Sequence, residues 1–226
     1  MTIEFSWPAG KSSAIMVAEN ILSEKLCASI IEESSKCYSL FTPGPVMGGL
    51  APTVKNSMDF SWSKNVLIDN NLPPEPLSSY EMEVSKAIFT SVAYYREQFK
   101  WLWDWAGICD TGFRMQQYLR GEGFYREHID GGPVPTVVLN RVLGVVVYLN
   151  TVEVGGGTYF RQQDTYVPAK AGSISLFPAY WTHPHQGCVP ISNDKWIVST
   201  FILENSENQP LEMIDNGGSL ANEHLL

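Results

Sequence analysis

Two hydrophobic periods divide the chain. From residue 79 to about 105, apolar positions recur at helical spacing through Met82, Val84, Ala87, Ile88, Val92, Phe99, Leu102 and Trp103. That spacing predicts a helix with one buried stripe. From Gly112 onward the runs shorten to 113–119, 124–128, 142–149, 158–161, 166–167, 173–177 and 196–203, rich in β-branched and aromatic residues and separated by Gly- and Pro-bearing turns. Short strands of this kind predict a β-sandwich or barrel. Ahead of the long helix, residues 14–22 read as a short strand. Ser23 then opens a helix through Leu26, Ile30 and Ile31 toward Cys37, with its hydroxyl as the N-cap. Residues 40–78 contain Thr42-Pro43-Gly44-Pro45 and Leu72-Pro73-Pro74-Glu75-Pro76 and read as loops around a short segment at 58–62.

The expectation is therefore an α+β, mainly β, chain forming a single domain over residues 1–226. Residues 14–105 supply a strand and supporting helices, residues 112–204 the sheet core, and residues 205–226 a polar, flexible tail. The aromatic run Phe99 to Trp105 is read as helix-to-sheet packing rather than a ligand platform.

Composition narrows the function. With 44% hydrophobic and 12% aromatic residues the chain can bury a sizeable core. A net charge of -9 argues against a nucleic-acid partner, because phosphate binding relies on clustered Lys and Arg. Cys27, Cys37, Cys109 and Cys188 are too irregularly spaced for a disulfide framework or a zinc site and read as free thiols of a reducing compartment. The N-terminus lacks the basic start and apolar run of a secretory signal, and no stretch has the length of a membrane span, so a cytoplasmic protein without a membrane partner is expected.

The chemistry concentrates in two places. Tyr125-Arg126-Glu127-His128-Ile129-Asp130 puts a carboxylate two positions from a histidine, and Trp181-Thr182-His183-Pro184-His185-Gln186-Gly187 holds two more of the four histidines. On a strand, residues i and i+2 share a face, so His128 and Asp130 can reach one point. A histidine from a distant strand would complete a two-histidine, one-carboxylate set with open coordination positions, which suits a non-haem Fe(II) oxygenase. Pro190 and Ser192-Asn193-Asp194 are turn formers, and they predict that His185 and Lys195 sit on adjacent strands of a hairpin. Gly155-Gly156-Gly157 reads as a turn rather than a phosphate cradle, since no Lys-Ser/Thr pair and no helix follow it.

The ordered elements Tyr125-x-x-His128-x-Asp130, Tyr148-Leu149-Asn150, Gly155-Gly156-Gly157-Thr158-x-Phe160, and His185-x-Gly187-Cys188 with Lys195 resemble those of the 2-oxoglutarate and Fe(II)-dependent dioxygenases, specifically the prolyl 4-hydroxylase-like branch. The resemblance spans roughly residues 112 to 204. It implies a double-stranded β-helix, or jelly roll, core flanked by N-terminal helices. It also implies that His128, Asp130 and His185 ligate iron. Lys195 would hold the distal carboxylate of 2-oxoglutarate, with Tyr148 as a hydroxyl donor to the same group. Tyr118 would line the co-substrate pocket, and Thr158 would lie near it. Spacing to Gly187-Cys188 and Lys195 favours His185 over His183 as the distal ligand, leaving His183 as a neighbouring or substrate-side residue.

The cofactor set implied by the resemblance is Fe(II), 2-oxoglutarate as co-substrate and O₂, with ascorbate as a further reductant. The implied activity is hydroxylation of a C–H bond in a peptidyl proline or a similar protein side chain. A free amino acid or small metabolite is the alternative substrate, and a non-catalytic jelly-roll binding module is the alternative class. Nucleobase-demethylating relatives carry arginines after the distal histidine, whereas this chain has none after Arg161.

Overall fold

A computed structural model describes residues 2–46, 48–100, 107–131 and 140–205. In chain order the elements are β1 (Glu4–Ser6), β2 (Met16–Glu19), α1 (Glu24–Lys36), β3 (Thr42–Pro43), β4 (Lys55–Asn56), β5 (Met58–Trp62), α2 (Lys64–Asp69) and α3 (Leu77–Gln98). There follow β6 (Gly107–Asp110), β7 (Phe113–Tyr118), β8 (Phe124–His128), β9 (Asn140–Tyr148), β10 (Thr158–Phe160), β11 (Thr165–Val167), β12 (Ser173–Pro178), β13 (His185–Gly187) and β14 (Lys195–Asn205).

Among the described residues the strands form two antiparallel sheets. The larger runs β1-β2-β12-β9-β14-β7-β5-β3, with β6 taking the far half of β14 beyond its pairing with β7. The smaller runs β11-β10-β13-β8-β4. Together they make the jelly roll that the sequence led us to expect, with helices against one face of the larger sheet.

Side-chain alternation explains this layering. Along β9, Val145 and Val147 join a cluster with Val84, Ile88 and Val92 of α3, while Tyr148 joins a second cluster with Phe160 and Val167 of the smaller sheet. Along β14, Trp196, Val198 and Ile202 face the helices and Ile197 faces the inside of the jelly roll. Strands covered on both faces read as nearly continuous apolar runs, as β9 does. Each such side chain contributes roughly 1.5–3 kcal/mol on burial.

The helix at Ser23 begins as its sequence dictates, with Ser23 Oγ accepting the Leu26 N–H at 3.2 Å. The strand expected over residues 14–22 contracts to Met16–Glu19, because Ala14 and Asn20 both adopt φ of 57° and end it on each side. Within 40–78 the segment near 58–62 is a strand as expected. The short strands β3 and β4 and the Ser63-capped helix α2 are additions that the Pro and Gly content hid. The long helix spans Leu77–Gln98, and the aromatic run at 101–105 lies outside the described residues, as does the tail after Asn205. Gly155 and Gly156 adopt φ of 76° and 74°, the turn expected of them. All four cysteines are free thiols.

Candidate active site

In β8 and β13, His128 and His185 stand directly opposite one another, so their imidazoles leave the smaller sheet on the same face, with ring centroids 4.4 Å apart. Asp130 lies just past the end of β8. It faces both rings, with Oδ1 3.3 Å from His128 Nε2 and Oδ2 3.5 Å from His185 Nε2. The three donor atoms lie within 4.8 Å of one another.

The donor chemistry fits a divalent metal. His128 Nδ1 lies 2.7 Å from the Arg126 carbonyl oxygen and His185 Nδ1 lies 3.0 Å from that of His183. A carbonyl only accepts, so both Nδ1 atoms carry the proton and both Nε2 lone pairs point at the shared centre. Tyr125 stacks on His128 at 3.6 Å, while Phe177 and Phe160 flank His185 at 4.6 and 5.6 Å. These contacts fix the ring planes. Burial lowers the His185 pKa and favours the neutral, ligating form. Burial pushes Asp130 the other way, but its interactions with His185, His128 and the Arg141 guanidinium outweigh it and hold the carboxyl below its ordinary value.

Gly144 gives the aspartate its room. A Cβ there would sit 2.6 Å from Asp130 Oδ2 and 2.6 Å from the Phe177 ring. The larger sheet therefore approaches the three-donor cluster through a residue without a side chain.

A cavity of about 410 Å³ opens beside the triad, walled by His128, Asp130, His185, Tyr118, Thr158 and Lys195 among others. Lys195 is 2% exposed. Among the described residues no carboxylate pairs with its ammonium, which lies 4.2 Å from the centre of the Tyr118 ring. Burial pulls its pKa down to about 8, with Cys188 opposing and Lys55 adding to the shift. An unpaired cation in such a place is costly unless an anion arrives.

The hairpin expected between His185 and Lys195 is not formed. β13 belongs to the smaller sheet and β14 to the larger, and residues 188–194 cross from one to the other. Cys188 N–H bonds to Gly157 O and Ile191 N–H to Val154 O, so the turn formers stitch a crossover rather than close two neighbouring strands. The two residues instead face each other across the jelly roll.

Tyr148 is fully buried and does not wall the cavity. Its hydroxyl and Thr158 Oγ1 are 2.7 Å apart, so Thr158 presents the hydroxyl at the wall and Tyr148 stands behind it. Tyr118 does line the cavity, and its hydroxyl donates to Gln116 Oε1 at 3.2 Å. His183 lies outside the triad, its Nε2 2.6 Å from the Ser13 carbonyl oxygen.

Several residues at the site escaped the sequence reading. Lys55 from the smaller sheet and Asp59 from the larger form a buried ion pair at 2.6 Å, with Ser57 Oγ and Gln116 Nε2 also donating to Asp59. Arg114 and Arg141 join Lys55 on the cavity wall. The alternation Arg114-Gln116-Tyr118 was a legible signal, since it puts three polar-tipped side chains on one strand face.

Residues 113–203 match the family model described as 2OG-Fe(II) oxygenase superfamily. The match covers the sheet-core residues from β7 to β14, the segment that carries His128, Asp130, His185 and Lys195. The fold as a whole is that of the prolyl hydroxylases. A viral collagen prolyl hydroxylase from Paramecium Bursaria Chlorella virus-1, solved as a 2OG complex, is 18% identical, with TM-score 0.61 over 85% of this chain and 97% of that one. A prolyl hydroxylase from Trichoplax adhaerens, in complex with a hypoxia inducible factor oxygen degradation domain peptide fragment, is 14% identical, with TM-score 0.67 over 86% and 85%. A Pseudomonas putida prolyl-4-hydroxylase is 15% identical, with TM-score 0.60 over 84% and 93%. No curated protein matches the chain by sequence.

Proposed function

We propose that this chain hydroxylates a C–H bond of a peptidyl proline or a similar protein side chain, with His128, Asp130 and His185 holding Fe(II). The observation that carries the reading is the unpaired, buried Lys195 ammonium in the same cavity as the three ligands. When bound, the metal and 2-oxoglutarate supply oxidative decarboxylation by O₂, yielding succinate and CO₂ and delivering the second oxygen atom to the substrate C–H as hydroxyl.

The chain's own residues bind, orient and exclude water. Lys195 donates charge-assisted hydrogen bonds to the distal carboxylate of 2-oxoglutarate in a low-dielectric setting, and Thr158, backed by Tyr148, adds a hydroxyl. Tyr125 and the two backbone carbonyls hold the imidazoles in their ligating orientation. Phe160, Phe177 and Ile197 form the apolar packing on the inner side of the centre. Pro45 and Val46, from the loop-rich region before β5, reach the cavity wall and would contact an incoming peptide. Ascorbate would act from outside as a reductant keeping the metal ferrous.

The prolyl hydroxylases that share the fold favour peptide substrates, one of them being in complex with a peptide fragment. Among the described residues no helix is long and apolar enough to cross a membrane. Four unpaired cysteines favour a reducing compartment, and we place the protein in the cytoplasm. Incubation of the enzyme with Fe(II), 2-oxoglutarate and proline-containing peptides, followed by mass spectrometry, should show gain of one oxygen atom on proline. Consumption of 2-oxoglutarate with no oxygen gained by any proline peptide would refute the substrate class.

A further inference from the structure

Four side-chain cations wall the cavity: Lys55, Arg114, Arg141 and Lys195. Lys55 is neutralised by Asp59, and Lys195 faces the co-substrate end. The Asp130 carboxylate belongs to the metal set. Arg114 and Arg141 remain, and among the described residues neither guanidinium lies within ion-pairing distance of any carboxylate.

Both are held by the fold rather than left to solvent. Arg114 sits on the inward face of β7, in register with Ser61 of β5 on one side and Ser199 of β14 on the other, and all three wall the cavity. Arg141 lies over the Phe201 ring at 4.0 Å and donates from Nη1 to the Asp130 backbone carbonyl at 3.3 Å, while its Nε is buried without a partner. The arginines are close enough for Arg114 to add to the lowering of the Arg141 pKa that burial begins. The Asp130 carboxylate opposes that lowering, but it is shared with the two histidines, so a neutral substrate closing over the arginines would leave two like charges desolvated with less than one full counter-charge between them, which is unfavourable.

We infer that Arg114 and Arg141 form an anion seat beside the metal centre, so that the substrate carries a carboxylate near the carbon that is hydroxylated. The guanidinium fork matches the two oxygens of a carboxylate, and serines on either side of Arg114 add neutral donors. The inference rests on the Fe(II) and 2-oxoglutarate chemistry proposed above; an acidic peptide would narrow the peptide substrate class, and a free amino acid would replace it. The carboxylate is either the side chain of an acidic residue adjoining the proline in a peptide or the α-carboxylate of a free amino acid.

The test uses the full chain loaded with Mn(II) and saturating 2-oxoglutarate, titrated calorimetrically with paired probes. Acetyl-Asp-Pro-amide against acetyl-Asn-Pro-amide reads the side-chain source, and L-proline against L-prolinamide reads the free amino acid. In one pair the acid should bind about 10–100-fold more tightly than its amide. Arg114→Gln should abolish that preference with 2-oxoglutarate affinity unchanged, and Arg114→Lys should restore it in part. Equal affinities within both pairs, no binding of either acid, or a preference that survives in Arg114→Gln/Arg141→Gln would overturn the inference alone. Failure of 2-oxoglutarate itself to bind the metal-loaded protein would overturn the proposed function and the anion seat with it.

Discussion

His183 and His185 are two positions apart but do different work: the His183 carbonyl accepts the His185 Nδ1 proton at 3.0 Å, while the His183 imidazole turns to the Ser13 carbonyl at 2.6 Å. The backbone of one residue thus orients the ring of the other, and only one ring reaches the metal set. His185→Ala should abolish metal retention, measured by metal analysis after dialysis. His183→Ala should keep the metal and cost about 1–3 kcal/mol of stability, because the Ser13 carbonyl loses a buried partner. Loss of metal in His183→Ala with retention in His185→Ala would reverse the ligand assignment.

Gly144 predicts a mutation without any change of charge or ligand. A methyl group at this position would collide with Asp130 Oδ2 and Phe177. Gly144→Ala should lower metal affinity by about 10–100-fold, as displaced supporting contacts do elsewhere, while leaving the far-ultraviolet circular dichroism unchanged. Full metal affinity in this variant would show that the sheet yields at β9.

Lys195 sets a pH dependence. Burial lowers its pKa to about 8, and under the proposed function the 2-oxoglutarate dianion would bind the protonated amine. Co-substrate affinity should be level below pH 8 and fall by up to about tenfold per unit above it. Stability of the ligand-free protein should move the other way. The unfolded lysine, with a pKa near ~10.4, binds more protons than the folded one between about pH 8 and 10, so the contribution from this residue rises with pH across that window. Calorimetry with 2-oxoglutarate from pH 7 to 9.5, with Lys195→Met as the reference, checks the first expectation, and thermal melts over pH 8 to 10 check the second.

The Lys55–Asp59 pair joins the smaller sheet to the larger, and both side chains are almost fully buried. Lys55→Ala would leave the Asp59 charge uncompensated and should destabilise the fold by about 3–5 kcal/mol in urea titrations. Lys55→Met with Asp59→Leu should recover much of that loss. A single variant as stable as the parent would show that the pair staples nothing.

Much of the His128, Asp130 and His185 cluster was legible in the sequence because candidate ligands fall in short motifs with fixed strand periodicity. His128 and Asp130 lie two residues apart, and alternation alone puts them on one face. What alternation does not contain is sheet membership. His185 and Lys195 looked like neighbours in a hairpin because the turn formers between them are real, yet hydrogen bonds to Val154 and Gly157 carry that loop from one sheet to the other. Arg141 was hidden for a related reason: its place is set by Phe201 and the Asp130 backbone, both far away in sequence. Strands β1 and β6 were missed because three or four residues carry too little period to read.

Succinate release tests the central claim most directly. The purified chain supplied with Fe(II), O₂ and 2-oxoglutarate should form succinate in a metal-dependent manner, His128→Ala should form none, and Lys195→Ala should need far more co-substrate. Absence of Fe(II)-dependent succinate from the intact chain, together with no calorimetric heat on adding 2-oxoglutarate, would contradict it.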